Sequence, residues 1–135
     1  MNMDEPIRQP DLVLHHVMIA VPAGSEPIAS HFYGDVLGLS EITKPATLAS
    51  RRGLWFSLGE LELHLGVDTA FSPARKAHIA LLVGDLDAIG ARLDSVGIPF
   101  NSDETMPGYR RFYVDDPFGN RLEFLERNAD QGVAT

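Results

Sequence analysis

Leu14–Val21 reads LHHVMIAV, and Lys76–Val83 reads KAHIALLV. Each is a short apolar run with the length and β-branched content of a strand, and each carries an early histidine, His16 in one and His78 in the other. The segments that follow are also alike. After the first run, Ser25 suits a helix N-cap, with Glu26 and Pro27 in the first turn. Ile28, Phe32, Val36 and Leu39 then recur at helical spacing, and Gly38 ends the helix. After the second run, Asp85 caps a helix through Leu86, Ile89, Leu93 and Val96, and Gly97 ends it. Leu54–Leu58 and Leu61–Leu65 read as a hairpin around Gly59-Glu60. Phe112–Val114 and Leu122–Leu125 read as strands around the turn Asp116-Pro117-Phe118-Gly119-Asn120.

The two halves keep a near-constant offset. His16 and His78 are 62 positions apart, Gly38 and Gly97 are 59, and Glu62 and Glu123 are 61. Such recurrence marks a duplicated α+β unit. Residues 1–10 hold two prolines without periodicity and predict a flexible N-terminal tail. A single domain is expected over 11–127: module one over 11–67, a linker over 68–75 containing Pro73, and module two over 76–127. Residues 128–135 read as a flexible C-terminal tail.

Composition narrows the function classes. The formal charge of −8 argues against nucleic acid, which rewards a basic face. No apolar stretch approaches the roughly 20 residues of a membrane helix, and the N-terminus has no apolar signal core, so the expected location is cytoplasmic. With no cysteine, disulfides and thiolate ligands are excluded, and any metal must be held by histidine and carboxylate.

Strand alternation places those residue types together. Val17, Ile19 and Val21 face the helix, so His16 faces away. By the same count His78 opposes Ile79, Leu81 and Val83. Leu61, Leu63 and Leu65 leave Glu62 and His64 opposite, and Leu122 and Phe124 leave Glu123 opposite. His15 is expected on the other face from His16, and His31, on the first helix, is expected in solvent. If the modules pair with pseudo-twofold symmetry, His16, Glu62, His78 and Glu123 converge. Two neutral imidazoles and two carboxylates balance one divalent ion, whereas two buried carboxylates without an ion would repel. Glu62 and His64 compete for one place, and the repeat offset prefers Glu62. Alternation puts Arg111 and Tyr113 on the face of Glu123; an arginine there either clamps a substrate carboxylate or charges a strand edge. Trp55 and Phe118 are either pocket walls or core, and Met106-Pro107-Gly108 suits a mobile loop over the site.

LHHVMIAV, FYGDVLGL (Phe32–Leu39), KAHIALLV and DPFGNRLEF (Asp116–Phe124) stand in an order that resembles the vicinal-oxygen-chelate superfamily, which includes glyoxalases, bleomycin-resistance proteins and extradiol dioxygenases. The resemblance covers residues 12 to about 127. It implies two tandem βαβββ modules forming a curved, cup-like mixed sheet around one divalent metal ion, Zn, Ni, Co, Fe or Mn. It implies His16, His78 and Glu123 as ligands. The fourth ligand varies in the family, and Glu62 sits in a glyoxalase-like LELxH context shortened by one residue. The implied function is a glyoxalase-like lyase or isomerase acting on a small substrate with adjacent oxygens. Glu62 and Glu123 would be its catalytic carboxylates, and His64, Arg111 and Tyr113 would line the substrate. A homodimer is implied, with the site inside one chain or between two. Three other functions belong to the same family: an extradiol-type dioxygenase using His16, His78 and Glu123; a thiol transferase, for which Asn120 stands where a histidine is common; and a metal-free antibiotic-binding protein, against which the retained His and Glu set speaks.

Overall fold

The computed structural model describes Asp4 and residues 12–129; the tails expected at 1–10 and 128–135 lie almost wholly outside that range. The first module runs β1 (His16–Val21), α1 (Glu26–Ala29), a π-helical continuation (Ser30–Val36), β2 (Glu41–Ile42), a 3-10 turn (Ala46–Leu48), β3 (Leu54–Leu58) and β4 (Leu61–Val67). The second runs β5 (Ile79–Leu82), α2 (Leu86–Ser95), β6 (Asn101–Ser102), β7 (Tyr109–Asp115) and β8 (Arg121–Arg127). Residues 68–75 carry no helix or strand. Among the described residues, eight strands form two four-stranded mixed sheets of identical order, β1-β4-β3-β2 and β5-β8-β7-β6. Each is a βαβββ unit whose first strand lies parallel to its last, with antiparallel pairs beyond. No helix among the described residues is long and apolar enough to cross a membrane.

The short strands β2 and β6 escaped the sequence reading. Each has two residues and no apolar alternation, and each is a strand only because a longer neighbour supplies its hydrogen bonds. The first helix also departs from a regular α-helix. The Leu37 N–H donates to the Phe32 carbonyl at 2.9 Å, a five-residue step, and the wider turn lets the consecutive aromatics Phe32 and Tyr33 both enter the core. Ser25 precedes that helix without a side-chain cap bond. Asp85 caps α2 as expected, accepting from the Ala88 N–H at 3.0 Å.

The apolar faces of both sheets and both helices meet in one core. Ile19, Val21, Phe56, Leu63 and Leu65 from module one join Leu86, Leu93, Phe112, Val114, Leu122 and Phe124 from module two. Polar groups stitch the halves together beside it. The Tyr33 hydroxyl donates to Asp116 Oδ2 at 2.6 Å, and burial with that carboxylate beside it pushes the phenol far above its ordinary pKa, so it stays a donor. Arg92 donates from α2 to the Asp35 and Val36 carbonyls. Asn120, 2% exposed, donates to the Ala20 carbonyl of β1 at 2.9 Å and accepts from the Ala74 N–H at 2.9 Å. Asp116 shapes the turn itself, taking the Phe118 and Asn120 N–H groups on Oδ1 at 2.9 Å each while Gly119 adopts φ +94°.

Candidate metal and substrate site

On β1, β4 and β8 the donor side chains alternate with core residues, so they point away from the shared core. They fall into two groups, one per module. In module one His16 is hydrogen-bond register partner to Glu62, and Met18 to His64. The His64 ring is stacked between two others, Trp55 at 4.0 Å and His16 at 4.2 Å between centroids. That stack leaves His64 only 4% exposed although it faces away from the core. Its Nε2 lies 2.9 Å from Glu62 Oε1. The hydrogen bond from His64 holds the Glu62 carboxyl below its ordinary range, outweighing the opposing desolvation. Trp55 thus neither fills the core nor stands free; it pins His64. Phe118 does pack against the core.

His15 does not oppose His16. Its Nδ1 lies 2.9 Å from His16 Nδ1, edge to face, because β1 begins at His16 and strand alternation does not extend back to residue 15. His31 is exposed, as expected, beside Asp35 at 3.2 Å.

In module two Glu123 is register partner to Ala80 on one side and to Tyr113 on the other. It is 5% exposed, with Oε1 at 3.0 Å from His78 Nε2 and Oε2 at 3.3 Å from the Arg111 guanidinium. Arg111 is otherwise occupied by the Asp103 carbonyl at 3.2 Å, the Thr105 hydroxyl at 3.2 Å and the Asp103 carboxylate at 3.5 Å. Its pairing with Glu123, Tyr113 and Asp103 raises its pKa against the opposing desolvation, which is the largest influence. The geometry makes it a support for Glu123, and the surface-edge reading does not describe it. Arg110, one residue earlier and on the opposite face, is the edge charge, bonded to Asp87 at 2.7 Å. Tyr113 lies edge to face against His78 and between two guanidiniums, Arg111 at 5.3 Å and Arg121 at 5.4 Å from its ring centre. Met106-Pro107-Gly108 forms a turn leading into β7, closed by the Tyr109 N–H on the Met106 carbonyl at 3.4 Å.

His78 has an arrangement that neutral imidazole cannot satisfy. Nδ1 lies 2.9 Å from the Lys76 carbonyl and Nε2 3.0 Å from the Glu123 carboxylate, both acceptors. A neutral ring donates from one nitrogen only. With Nδ1–H on Lys76, a neutral ring turns its Nε2 lone pair toward the carboxylate oxygen, and either a proton or a metal ion between them would bridge the two. Histidine ligands of metals commonly donate their second N–H to a backbone carbonyl in this way.

The quartet His16, Glu62, His78 and Glu123 does not come together as one cluster inside the chain. Among the described residues, no three His, Asp or Glu side chains are placed to hold one ion. A cleft of about 390 Å³ runs where β1 meets the start of module two, lined by Met18, Ala20, His78, Ile79, Asn120 and Arg121.

Residues 13–124 match the model of a family described as the Glyoxalase/Bleomycin resistance protein/Dioxygenase superfamily. The chain is 34% identical over 106 residues to the Bacillus subtilis protein YwbC, covering 71% of this chain and 84% of that one. It is similar to the crystal structure of a glyoxalase family protein from Bacillus anthracis, with TM-score 0.86 and 43% identity over 90% of this chain and all of the other. It also shares its fold with a lactoylglutathione lyase from Agrobacterium tumefaciens, with TM-score 0.66 and 22% identity over 87% and 94% of the two chains.

Proposed function

Because the chain belongs to the glyoxalase/bleomycin resistance protein/dioxygenase superfamily, we propose that it is a metal-dependent, glyoxalase-like lyase or isomerase for a small substrate with adjacent oxygens. The observation that carries the reading is His78 held between two acceptors, with one nitrogen left for a cation beside Glu123. The donor set fits a divalent ion. The 3.0 Å between His78 Nε2 and Glu123 Oε1 is the separation that two ligands about 2.1 Å from one ion take at a right angle. Imidazole and carboxylate donors suit Zn, Ni, Co, Fe or Mn.

His16, His78 and Glu123 would hold the ion, with one further donor from the β4 pair Glu62 and His64. Since one chain separates these groups into halves, the site is completed by a second copy, module one of one protomer facing module two of the other. When bound, the ion supplies polarisation of two neighbouring substrate oxygens and so acidifies the adjacent C–H. Glu62 is the carboxylate suited to move that proton. It is partly exposed, its carboxyl is held below the ordinary range, and among the described residues it is bonded through one oxygen. Glu123 is held on both oxygens by His78 and Arg111 and is the poorer base. Tyr113 and the rim of the cleft would enclose the substrate, and Arg111 would keep Glu123 in place.

The test is metal analysis of the full-length protein together with turnover. The expected result is one divalent ion per site, lost in His78→Ala, and isomerisation of the thiol adduct of a 2-oxoaldehyde. Failure to take up any ion at any loading would favour a metal-free binding protein. Oxygen uptake by the iron form on a catechol would favour the dioxygenase and overturn the lyase reading.

A further inference from the structure

We propose that Arg121 holds a carboxylate of the substrate, so that the substrate is a small organic acid with an apolar body. The carboxylate site stands by itself, and its assignment to the substrate rests on the lyase reading above. The cleft between β1 and the start of module two has carbon walls, with Met18, Ala20, Ala77 and Ile79 along it. Asn120 also lines it, but its side chain is occupied by Ala20, Ala74 and Asp116. Arg121 is the one arginine or lysine among the lining residues. Its backbone is fixed, because β8 begins there and its N–H donates to the Ala74 carbonyl at 2.8 Å. A half-buried guanidinium presented to an apolar cleft from a pinned strand end is arranged to receive an anion.

The neighbouring charges do not supply that anion. Arg121 stands directly opposite Asp115 on β7, and residues opposite one another in an antiparallel ladder leave the same face of the sheet. Asp115 is taken instead by Arg75 at 3.5 Å, whose Nη1 also reaches the Gly119 carbonyl at 3.4 Å. Arg110 and Arg111 have carboxylates of their own, Asp87 at 2.7 Å and Glu123 at 3.3 Å. Arg121 has no ion pair or side-chain hydrogen bond among the described residues, and its guanidinium lies over the Tyr113 ring, 5.4 Å from the centre. Stacking on an aromatic ring sets the guanidinium plane and leaves its N–H edge for two parallel bonds to a carboxylate. A carboxylate fits better than a phosphate monoester. Glu123 follows two residues on along the same face, about 7 Å away at the rise of a strand, so a dianion at Arg121 would set its second charge against a buried carboxylate. The same spacing puts a carboxylate held by Arg121 near the His78–Glu123 pair but apart from it, so the acid group is distinct from the two oxygens that the reaction uses.

The experiment titrates the full-length, chelator-treated protein with hexanoate, hexanamide and hexyl phosphate, followed by NMR, so that no metal ion can bind the probes. Hexanoate should bind saturably and move the Arg121 Nε–H resonance, and hexanamide should bind about 10-fold more weakly or worse, as for loss of a charged hydrogen-bond pair. Arg121→Gln should abolish the preference for the acid over the amide, and Arg121→Lys should keep part of it, since it restores the charge without the fork. Equal binding of acid and amide by the wild-type protein, or an Arg121 resonance that hexanoate does not move, would overturn the site; both readings need no variant and stand even if Arg121→Gln fails to fold. Tighter binding of hexyl phosphate than of hexanoate would overturn the choice of a carboxylate. A rise in hexanoate affinity of about 10-fold in Asp115→Asn would show that Asp115 occupies Arg121 in solution, and would overturn the site as well. The lyase reading fails separately. A protein that takes up no ion but binds hexanoate through Arg121 keeps the carboxylate site and loses the reaction; one that binds an ion through His78 and does not distinguish acid from amide loses this inference alone.

Discussion

Replacing Asn120 by alanine tests whether the two modules hold one another in place through the polar stitch beside the core. The Asn120 side chain donates to the Ala20 carbonyl at 2.9 Å and to Asp116 Oδ2 at 3.0 Å, and accepts from the Ala74 N–H at 2.9 Å. All three bonds are lost in the variant, and the partners on β1 and in the linker become unpaired in a site only 2% exposed at Asn120. At about 1 kcal/mol each the loss is roughly 3 kcal/mol. Unfolding entropy of about 2.1 cal/mol/K per residue over 135 residues is about 0.28 kcal/mol/K, so Tm should fall by about 10 °C. Thermal unfolding followed by circular dichroism, with chelator present and at fixed protein concentration, removes the contributions of metal and self-association. Asn120→Asp should lose at least as much, because it sets a carboxylate against the Ala20 carbonyl and Asp116. A drop of less than about 3 °C in Asn120→Ala would mean that the bonds across the modules contribute no more than one ordinary hydrogen bond, and the reasoning would fail.

Gly53 adopts φ +100°, and a Cβ there would stand 2.0 Å from the Leu65 carbonyl oxygen, so Gly53→Ala should cost about 3 kcal/mol or more, read as a lowered urea midpoint or loss of soluble protein. Arg111→Met leaves the buried Glu123 with His78 as its one side-chain partner among the described residues; it should cost the metal-free protein ~2 kcal/mol in thermal unfolding. Added Zn(II) should recover part of that loss by restoring positive charge beside the carboxylate, and a variant as stable as the parent without metal would show that Arg111 does not support Glu123.

The duplicated organisation was legible in the sequence because it depends on local periodicity. LHHVMIAV and KAHIALLV alternate, each precedes a helix-spaced run ending in glycine, and alternation alone places His16, Glu62, His64, His78 and Glu123 on faces opposite the core. Asp116 and Asn120 were legible as a turn but not as the junction between modules, since nothing local marks Ala20, a hundred residues away, as a partner. Tertiary structure decided three matters. It set the register of β4 against β1, which a repeat offset counted along the chain cannot give, because loops of unequal length separate the strands. It tied down Arg111 through Glu123, Asp103 and Thr105, where sequence left it free to clamp a substrate. And it left the donors in one group per module, with no three placed to hold one ion among the described residues, because the seating of one sheet against the other follows from core packing that no local pattern records.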